Sequence, residues 1–486
     1  MKLNQTAQDR IRVIQNQLSE QKQSENHILK TIKQQGTTSS GRTLTRACII
    51  DGQRTPFVRS FTNIMHLDNV GLGCVAVEGL IKKTKINPEW IDEIVWGTVV
   101  LNTKAPNVAR EIVIDLNLPK TIPGHTVSRA CLSGLTAILS GIRMIETGQA
   151  DCIIAGGSDS TSNGEVTLPK HLQHALAKYQ YGGNKLGLQG IRNLLSDAGP
   201  ISGWGLDAPG INERSTGKAM GYHADTMAQI HHITREAQDQ FAMRSHINAA
   251  KARKEGYLAD EITPIVLPNG KKIDSDSFIR AKQDPEKLKK LKTAFRQENG
   301  TITAATASPL TDGASAVLLM SEAFAKKHGY PIDCSIKSYA TTAIDPYPQL
   351  LLAPAVAIPR ALEKANMNVE DVDLFEIHEA FAAQVLATIQ VLESDSFARE
   401  YLKKDRAVTT KFPRDRVNPN GSSIAVGHPF AATGGRMVIA ACNELRRSNK
   451  KTALLSVCAA GGLGGVAIIE RQDPSDDVEE TEELLE

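Results

Sequence analysis

The sequence lacks a long apolar run, a surplus of charge and paired cysteines, and each absence excludes a class of protein. No stretch is apolar over the length needed to cross a bilayer. The net charge of +2 argues against a general nucleic-acid-binding protein, which needs a concentrated basic face. The spacing of the seven cysteines indicates neither a disulfide framework nor a metal-ligand cluster, and we expect a reducing, cytoplasmic location. They are Cys48, Cys74, Cys131, Cys152, Cys334, Cys442 and Cys458.

The two ends of the chain lack a core pattern. The first 43 residues have no hydrophobic core of a secretion signal, and their acidic residues are unlike an organelle transit peptide. Isoleucine and leucine recur there at helical spacing before a Gly/Ser/Thr linker at 35–41. From Asp473 the chain carries eight acidic residues. We predict a polar, partly helical N-terminal extension and a disordered acidic tail.

Between these ends the composition is that of a globular protein, with 41% hydrophobic and 23% charged residues. The length of the chain requires more than one core. Short apolar strands alternate with helices, which predicts an α/β fold with a mostly parallel sheet covered on both faces. The predicted strands are 47–50, 91–97, 151–157, 301–305 and 313–320, and a helix is predicted over 69–83.

The segment 161–300 interrupts this alternation. Basic residues are interleaved with leucines over 168–194, and a second helix is predicted over 234–254. An amphipathic basic helix can lie on a membrane surface or meet an acidic ligand, although it is more often a solvated face. We interpret the segment as an inserted helical loop domain.

The pattern of the first half of the chain recurs in the second. A helix, an Asn-X-Glu connection and a strand occur at 79–94 and again at 361–375, and the helix–strand pair at 141–157 matches 435–462. Two duplicated α/β halves are the simplest explanation. The predicted units are an extension (1–43), an N-terminal half (44–160 plus 301–325), a loop domain (161–300), a C-terminal half (326–471) and a tail (472–486).

Cys131 lies among small residues at the corner where an extended run gives way to a helix. Unpaired backbone N–H groups and the positive end of the helix dipole at such a corner favour a thiolate over a thiol. The alternative is a buried cysteine that packs as a small hydrophobic residue. The partners offered by the rest of the chain decide between the two.

The duplication places a histidine at the equivalent corner of the second half. His428 stands among glycines at a predicted helix start and is a suitable base for a facing thiol. His378 and Cys458 stand at strand ends, where α/β proteins bind ligands. Each of these residues alone could be a cap, a surface histidine or an inert cysteine. The four residues together, two of them at matching corners, predict a catalytic site.

The motifs that carry these residues resemble those of the thiolase family, over about residues 45–471. The resemblance implies the thiolase fold, in which two duplicated βαβαβαββ halves form five αβαβα layers and a helical loop domain is inserted in the first half. The His378-Glu379-Ala380-Phe381 motif is similar to the variant found in thiolase subunits of fatty-acid β-oxidation complexes. The three motifs, in the family's order, are Arg129-Ala130-Cys131-Leu132-Ser133-Gly134-Leu135, Asn418-Pro419-Asn420-Gly421 through Gly427-His428-Pro429, and Cys458-Ala459-Ala460-Gly461-Gly462-Leu463-Gly464.

The resemblance also implies a role for each residue in CoA-dependent cleavage of a 3-oxoacyl-CoA. Cys131 would be the nucleophile that attacks the 3-keto carbon. His428 would activate its thiol and, with a water held by His378, form an oxyanion hole for the thioester oxygen. Cys458 would protonate the departing acetyl-CoA carbanion. The backbone N–H groups of Cys131 and of Gly461 or its neighbours would stabilise the other oxyanion.

Ligands and partners follow from the same resemblance. Coenzyme A would be a substrate and not a resident cofactor, with Ser308, Ala380 and Phe381 near its pantetheine, and no metal is needed. The expected assembly is a homodimer or a dimer of dimers. An enoyl-CoA hydratase/3-hydroxyacyl-CoA dehydrogenase subunit and a peripheral membrane contact through 168–194 are further expected partners, and nucleic acid is not. The chain departs from the family's usual residues at Ser128, Thr306, Ser422 and Ala431. None of these departures removes a catalytic group.

Three other functions remain open on the sequence alone. A biosynthetic thiolase that forms acetoacetyl-CoA would carry the same residues. A ketoacyl-synthase-type condensing enzyme shares the fold and the nucleophilic cysteine, but it uses two histidines and does not need a second cysteine such as Cys458. A non-catalytic subunit of a larger complex is disfavoured because all four chemical residues are present.

Overall fold

The computed structural model describes residues 45–181, 188–200, 205, 210 and 212–472. The predicted N-terminal extension and nearly all of the acidic tail lie outside the described residues, as do parts of the loop segment. Among the described helices, none combines the length and the apolar composition that crossing a membrane requires.

The strands of the described chain form one large sheet and a small hairpin. The order in the large sheet is β10-β11-β12-β9-β1-β8-β5-β3-β4, with β2 paired to β8, and β6 pairs with β7. The strands are β1 (Ala47–Arg54), β2 (Val58–Arg59), β3 (Glu93–Gly97), β4 (Gly124–Val127), β5 (Cys152–Asp159), β6 (Ile265–Val266), β7 (Lys272–Ile273), β8 (Thr311–Ser321), β9 (Cys334–Ala343), β10 (Leu374–Ile377), β11 (Thr452–Ala459) and β12 (Leu463–Arg471).

Helices connect these strands and supply the inserted segment between β5 and β8. They are α1 (Asn69–Thr84), α2 (Val108–Asp115), α3 (Ser133–Glu146), α4 (Lys170–Tyr181), α5 (Leu188–Ala198), α6 (Met220–Ile230), α7 (Arg235–Lys254), α8 (Pro285–Lys289), α9 (Glu322–His328), α10 (Ala353–Ala365), α11 (Ala382–Leu392), α12 (Asp395–Phe397), α13 (Ser423–Val426) and α14 (Ala432–Ser448). The Thr234 side chain caps α7 by accepting from the Ala237 N–H, which explains where the helix predicted over 234–254 begins.

The topology repeats on either side of the β1–β9 junction. Reading outwards, the N-terminal side runs β1, β8, β5, β3, and the C-terminal side runs β9, β12, β11, β10. The counterpart of β4 is reduced to a single parallel bridge between Phe375 and Val417. The two sides join where Cys48 pairs with Ser335. The strand order therefore supports the duplication inferred from the sequence.

Alternate side chains of the strands separate three cores, which gives five layers. In β1, Ile49 faces the central core and Ile50 faces an outer core shared with α1 and α2. In β11, Leu455 faces the central core and Leu454 faces the other outer core, shared with α10 and α11. The central core is filled by α3 and α14. The N-terminal and C-terminal sides of the large sheet form separate layers. The five layers are therefore helix, sheet, helix pair, sheet, helix, as the family resemblance implied.

Glycines let the two central helices touch backbone to backbone. A Cβ on Gly134 of α3 would lie 2.0 Å from the carbonyl oxygen of Ala431, and one on Gly434 of α14 would lie 2.3 Å from the backbone nitrogen of Leu135. No larger residue fits either position without separating the helices. The corners that precede α3 and α14 are thereby brought together.

Two predictions about strands were wrong. The large sheet is mixed and not mostly parallel: β3 pairs in parallel with β4 and β5, and β10 with β11, whereas β8, β9 and β12 pair antiparallel with their neighbours. The segment 301–305 is not a strand and makes only one isolated bridge, from Thr303 to Thr293. Its backbone N–H groups bond instead to side chains, as Thr301 does to Asp225.

Candidate active site

Cys131 lies in a sharp corner between β4 and α3. The preceding Ala130 has φ of +46°, and the Ser133 hydroxyl closes the turn by accepting from the Arg129 N–H (2.8 Å) and donating to the Ala130 carbonyl (2.7 Å). The helix begins at Ser133, so Cys131 stands two residues before it and not in its first turn. The corner presents the sulfur towards the second half of the chain.

His428 reaches the same point from the loop that follows α13. Gly427 has φ of +113°, a conformation that favours glycine. The backbone N–H of His428 donates to Oγ1 of Thr311 in β8, at 2.8 Å. The imidazole Nε2 lies 3.2 Å from Sγ of Cys131, and Nδ1 lies 2.6 Å from Oγ1 of Thr433. The thiol and its base are therefore in hydrogen-bond contact, as the matching corners predicted.

The resting pair is a thiol beside a neutral imidazole. Burial raises the pKa of the Cys131 thiol to about 12, with a further contribution from Asp159, while the N–H groups of Cys131 and Ala460 act in the opposite direction. Burial also lowers the pKa of His428 to about 3, helped by Arg436. The expectation of a preformed thiolate was wrong, because burial outweighs the backbone donors at the corner.

His378 lies against His428, with ring centroids 4.1 Å apart. Its Nδ1 is 2.7 Å from Oγ of Ser423, and its Nε2 is buried with no hydrogen-bond partner. Burial, then His428 and Arg436, lower the pKa of His378 well below its usual value. Cys131, His378 and His428 each offer one donor atom within 4.8 Å of the others, the single such group in the described chain. His378 therefore lies beside Cys131 and His428, and its role in the site stays a prediction.

Cys458 stands one residue before the end of β11 and is buried. Burial raises the pKa of its thiol well above the usual value, and the nearby Cys131 raises it further. The second cysteine is thus a neutral thiol at rest, next to the first. Such a group can give up a proton only to a strong base, such as a carbanion.

Gly461, predicted as an oxyanion donor, is engaged elsewhere. Its N–H donates to Oε2 of Glu213 from the inserted segment, at 2.7 Å. The N–H of the preceding residue, Ala460, lies near the Cys131 sulfur and acts to lower the pKa of its thiol. The oxyanion donor predicted at Gly461 or its neighbours therefore stays a prediction, with Ala460 as the neighbour beside Cys131.

Asp159 links the loop that follows β3 to the His428 loop, and sequence reasoning missed it. Its Oδ1 accepts from the N–H groups of Val99 (2.8 Å) and Val100 (2.7 Å), and Oδ2 accepts from the N–H of Ala431 (2.8 Å) in the His428 loop. Burial raises its pKa to about 7, against these donors. A carboxylate at the carboxyl end of the apolar strand β5 was the signal available in the sequence.

A cavity of about 720 Å³ opens beside the site. Ser308 lines it, and its N–H donates to the carbonyl of Ala380 at 2.9 Å. Ala380 and Phe381 are buried behind that segment and do not line the cavity. The inner end is close to the catalytic groups, because Leu310 of the lining forms a bridge with His428.

The cavity also carries cations and aromatic rings that sequence reasoning missed. Arg59, His246 and Arg280 supply positive or hydrogen-bonding groups, and Phe278 and Phe295 supply flat apolar surface. Nδ1 of His246 is buried without a partner. These residues come from separate elements, so no local pattern in the sequence joins them.

Comparisons with known proteins agree with this geometry. The family model of the thiolase N-terminal domain matches residues 47–323, and that of the thiolase C-terminal domain matches residues 330–471. The chain is 41% identical over 443 residues to a 3-ketoacyl-CoA thiolase of Shewanella sediminis, covering 90% of this chain and 99% of that protein. It is 40% identical over 430 residues to a probable 3-ketoacyl-CoA thiolase of Caenorhabditis elegans, covering 87% and 93%.

Solved structures show the same fold. Human mitochondrial 3-ketoacyl-CoA thiolase superimposes with a TM-score of 0.74 at 28% identity, and the Bacillus anthracis acetyl-CoA acetyltransferase with 0.73 at 30%. Each match covers 88% of this chain and 99% of the other. Two family models that together span nearly all of the described chain, and a cysteine–histidine pair shared between the duplicated halves, lead to one conclusion: the chain belongs to the thiolase family of acyltransferase enzymes.

Proposed function

We propose that this enzyme is a 3-ketoacyl-CoA thiolase, which cleaves 3-oxoacyl-CoA with coenzyme A to acetyl-CoA and a shortened acyl-CoA. The observation that carries the proposal is the 3.2 Å contact between Cys131 Sγ and His428 Nε2, with a second buried thiol, Cys458, beside it. Carbon–carbon cleavage needs a nucleophile, a base and a separate proton donor, and the site offers all three.

The first half of the reaction forms an acyl-enzyme. The Cys131 sulfur attacks the 3-keto carbon while its proton passes to Nε2 of His428. Because the thiol has a raised pKa and the imidazole a lowered one, proton transfer accompanies the attack and does not precede it. The N–H groups of Cys131 and Ala460 then face the new oxyanion, where fixed donors lower the barrier.

The second half exchanges the two products. As the bond between carbons 2 and 3 breaks, the thiol of Cys458 protonates the departing carbon and acetyl-CoA leaves. The Cys458 thiolate next takes the proton of the incoming CoA thiol, whose sulfur attacks the acyl group on Cys131. The cysteine sulfur departs and recovers its proton from His428. His428, now protonated, and His378 meanwhile face the thioester oxygen that carries charge between these steps.

The cavity beside the site supports coenzyme A as the substrate that fills it. Its volume of about 720 Å³ suits a large ligand, and Arg59 and Arg280 place positive charge at its walls for phosphate groups. Ser308 would contact the pantetheine, with Ala380 and Phe381 supporting that segment from behind. Arg280→Ala is expected to raise KM for CoA with little change in kcat, whereas the exposed Arg253→Ala serves as the matched control.

Two substitutions test the proposed reaction. Cys131→Ala is expected to abolish CoA-dependent cleavage of 3-oxoacyl-CoA with the fold intact, because no other thiol contacts His428. Cys458→Ala is expected to acylate Cys131 from a simple acyl-CoA, detected by mass spectrometry, and to fail at carbon–carbon cleavage. Cys152→Ala, a buried cysteine of β5, is the control and should remain active. Turnover by the Cys131 variant would contradict the mechanism.

The physiological substrate is proposed to be a medium or long 3-oxoacyl-CoA of fatty-acid β-oxidation. The His378 motif and the long inserted segment favour this substrate over acetoacetyl-CoA, and the 3-ketoacyl-CoA thiolase relatives support it. A biosynthetic thiolase forming acetoacetyl-CoA is the alternative. Thiolysis rates measured with 3-oxoacyl-CoA substrates of about four to about sixteen carbons distinguish the degradative function from the biosynthetic one. A rate that peaks at the four-carbon substrate would favour the biosynthetic function.

The assembly and location are further proposals. We propose that the enzyme is a cytoplasmic homodimer or dimer of dimers and that it works with an enoyl-CoA hydratase/3-hydroxyacyl-CoA dehydrogenase subunit. We also propose that its domains have the boundaries predicted from the sequence.

Helices α4 and α5 expose apolar side chains on their surface, which supports the proposed peripheral membrane contact through 168–194. The exposed residues are Leu176, Tyr181, Ile191 and Leu195. Loss of cosedimentation with anionic vesicles in the Ile191→Ser and Leu195→Ser variant is the expected result.

A further inference from the structure

We propose that Ser423 and Arg436 are positioning residues that fix the tautomer of His378, so that its Nε2 carries the proton and donates into the active site. This inference rests on the proposed function for its role in the reaction. The tautomer itself follows from hydrogen bonds that can be tested without activity.

The hydroxyl of Ser423 lies between Arg436 and His378 and contacts both. Its oxygen accepts from Nη2 of Arg436 at 3.3 Å, and a guanidinium has donors only. The other partner of the hydroxyl is Nδ1 of His378, at 2.7 Å. The oxygen could accept a second bond, but within the described chain Nδ1 is the one acceptor that the hydroxyl hydrogen contacts, so the hydrogen is satisfied only when it points to Nδ1, which then accepts. A neutral imidazole that accepts at Nδ1 carries its proton on Nε2.

The charge of His378 decides how many protons its imidazole ring carries. Burial, His428 and Arg436 all act to lower its pKa, so the ring is neutral and has one proton to place. Arg436 is itself held by the buried carboxylate of Glu376 and by the hydroxyl of Ser422 at 2.9 Å. This arrangement keeps the guanidinium aimed at Ser423.

Nε2 of His378 is buried and has no hydrogen-bond partner among the described residues, and a buried N–H that stays unpaired is destabilising. A group held in this way is preorganised for an acceptor that arrives with the substrate, either its thioester oxygen or a water bound to that oxygen. Ser423 and Arg436 thus hold a donor ready where negative charge develops.

The two histidines of the site consequently have opposite roles at rest. His428 must accept at Nε2 from the Cys131 thiol, so its Nδ1–H donates to Thr433. His378 donates at Nε2 because Ser423 donates to its Nδ1. Thr433 thus sets the imidazole of His428 as a base, and Ser423 sets the imidazole of His378 as a hydrogen-bond donor. A protonated Nε2 also has no lone pair for a metal, although three candidate ligand atoms lie close together.

Nitrogen-15 NMR of histidine-labelled full-length protein tests the tautomer directly. The wild type is expected to show His378 protonated at Nε2, with the signal assigned by its loss in His378→Asn. In Ser423→Ala the Nδ1 partner is gone, and the expected result is a mixture of tautomers. Ser338→Ala is the matched control, since Ser338 is also a buried serine but its hydroxyl donates to the carbonyl of Ala361, outside this network. A proton on Nδ1 in the wild type overturns the proposal.

Kinetics of thiolysis test the consequence. Ser423→Ala is expected to lower kcat by about 10- to 100-fold, with KM for the 3-oxoacyl-CoA changed by less than about threefold. In a His378→Asn background the amide donates without help, so Ser423→Ala should have no further effect on kcat. An equal loss in both backgrounds overturns the positioning role. If the wild type does not cleave 3-oxoacyl-CoA yet shows the Nε2 tautomer, the proposed function fails and the tautomer assignment stands.

Discussion

At the scale of single residues, the catalytic groups are neutral until substrate arrives. The pKa of Cys131 is raised to about 12 and that of His428 is lowered to about 3, each chiefly by burial. A buried ion pair would be expensive to maintain here, because both partners would have to leave water. The site instead keeps a hydrogen-bonded thiol and imidazole and lets charge form only during the reaction, where fixed donors meet it.

The lowered pKa of His428 predicts the acid side of the pH profile. A base with a lowered pKa stays unprotonated as pH falls through 6.5, so it remains able to accept the thiol proton. His428 itself should therefore cause no loss of kcat/KM for thiolysis between about pH 7.5 and about pH 5, and the loss expected there follows the protonation of Asp159, whose pKa is raised to about 7. Samples returned from pH 5 to pH 7.5 should recover full activity, which controls for unfolding. A limb near pH 6.5 that persists in Asp159→Asn would contradict the lowered pKa of His428.

Asp159 provides a second prediction at this scale. In Asp159→Asn the amide can still accept from Val99 and Val100, but its NH₂ group would face the N–H of Ala431. The His428 loop should shift, and we expect kcat to fall by about 10- to 100-fold. Thermal denaturation of the variant checks that the fold survives. An unchanged kcat would show that Asp159 does not position the loop.

At the scale of elements, the contact between α3 and α14 sets the distance between nucleophile and base. Gly434→Ala would place a Cβ 2.3 Å from the Leu135 nitrogen, so the helices must separate. The expected cost is about 1–3 kcal/mol of unfolding free energy, together with a large loss of kcat. Urea denaturation and thiolysis rates measure both. Gly71→Ala is the control, because its nearest neighbour is the flexible end of Leu67 at 3.2 Å.

At the scale of the whole molecule, neither half contains a working site. Cys131 belongs to the first half and His428, Cys458 and His378 to the second, and the halves share the central core. Fragments 1–329 and 330–486 expressed separately should be inactive, and their coexpression should restore thiolysis. The intact chain should unfold in one calorimetric transition. Two well-separated transitions would show that the halves are independent.

The sequence predicted the duplication, the long helices and the residues that lie together in the candidate site, because motifs and periodicity are local. It did not predict the antiparallel pairing of β8, since strand direction depends on partners far along the chain. Nor did it predict the raised pKa of Cys131, because burial is a property of the assembled fold. The hydrogen bond from the Gly461 N–H to Glu213 depends on the direction of one peptide group, which no residue pattern encodes.

The junction between the halves also has a consequence for how such enzymes diversify. Between α9 and β9 the chain passes from the half that carries Cys131 to the half that carries His378, His428 and Cys458. Recombination at this point would exchange complete sets of functional groups between related genes. Any such chimaera must keep the close contacts of Gly134 and Gly434, because both parents must have the same spacing between α3 and α14.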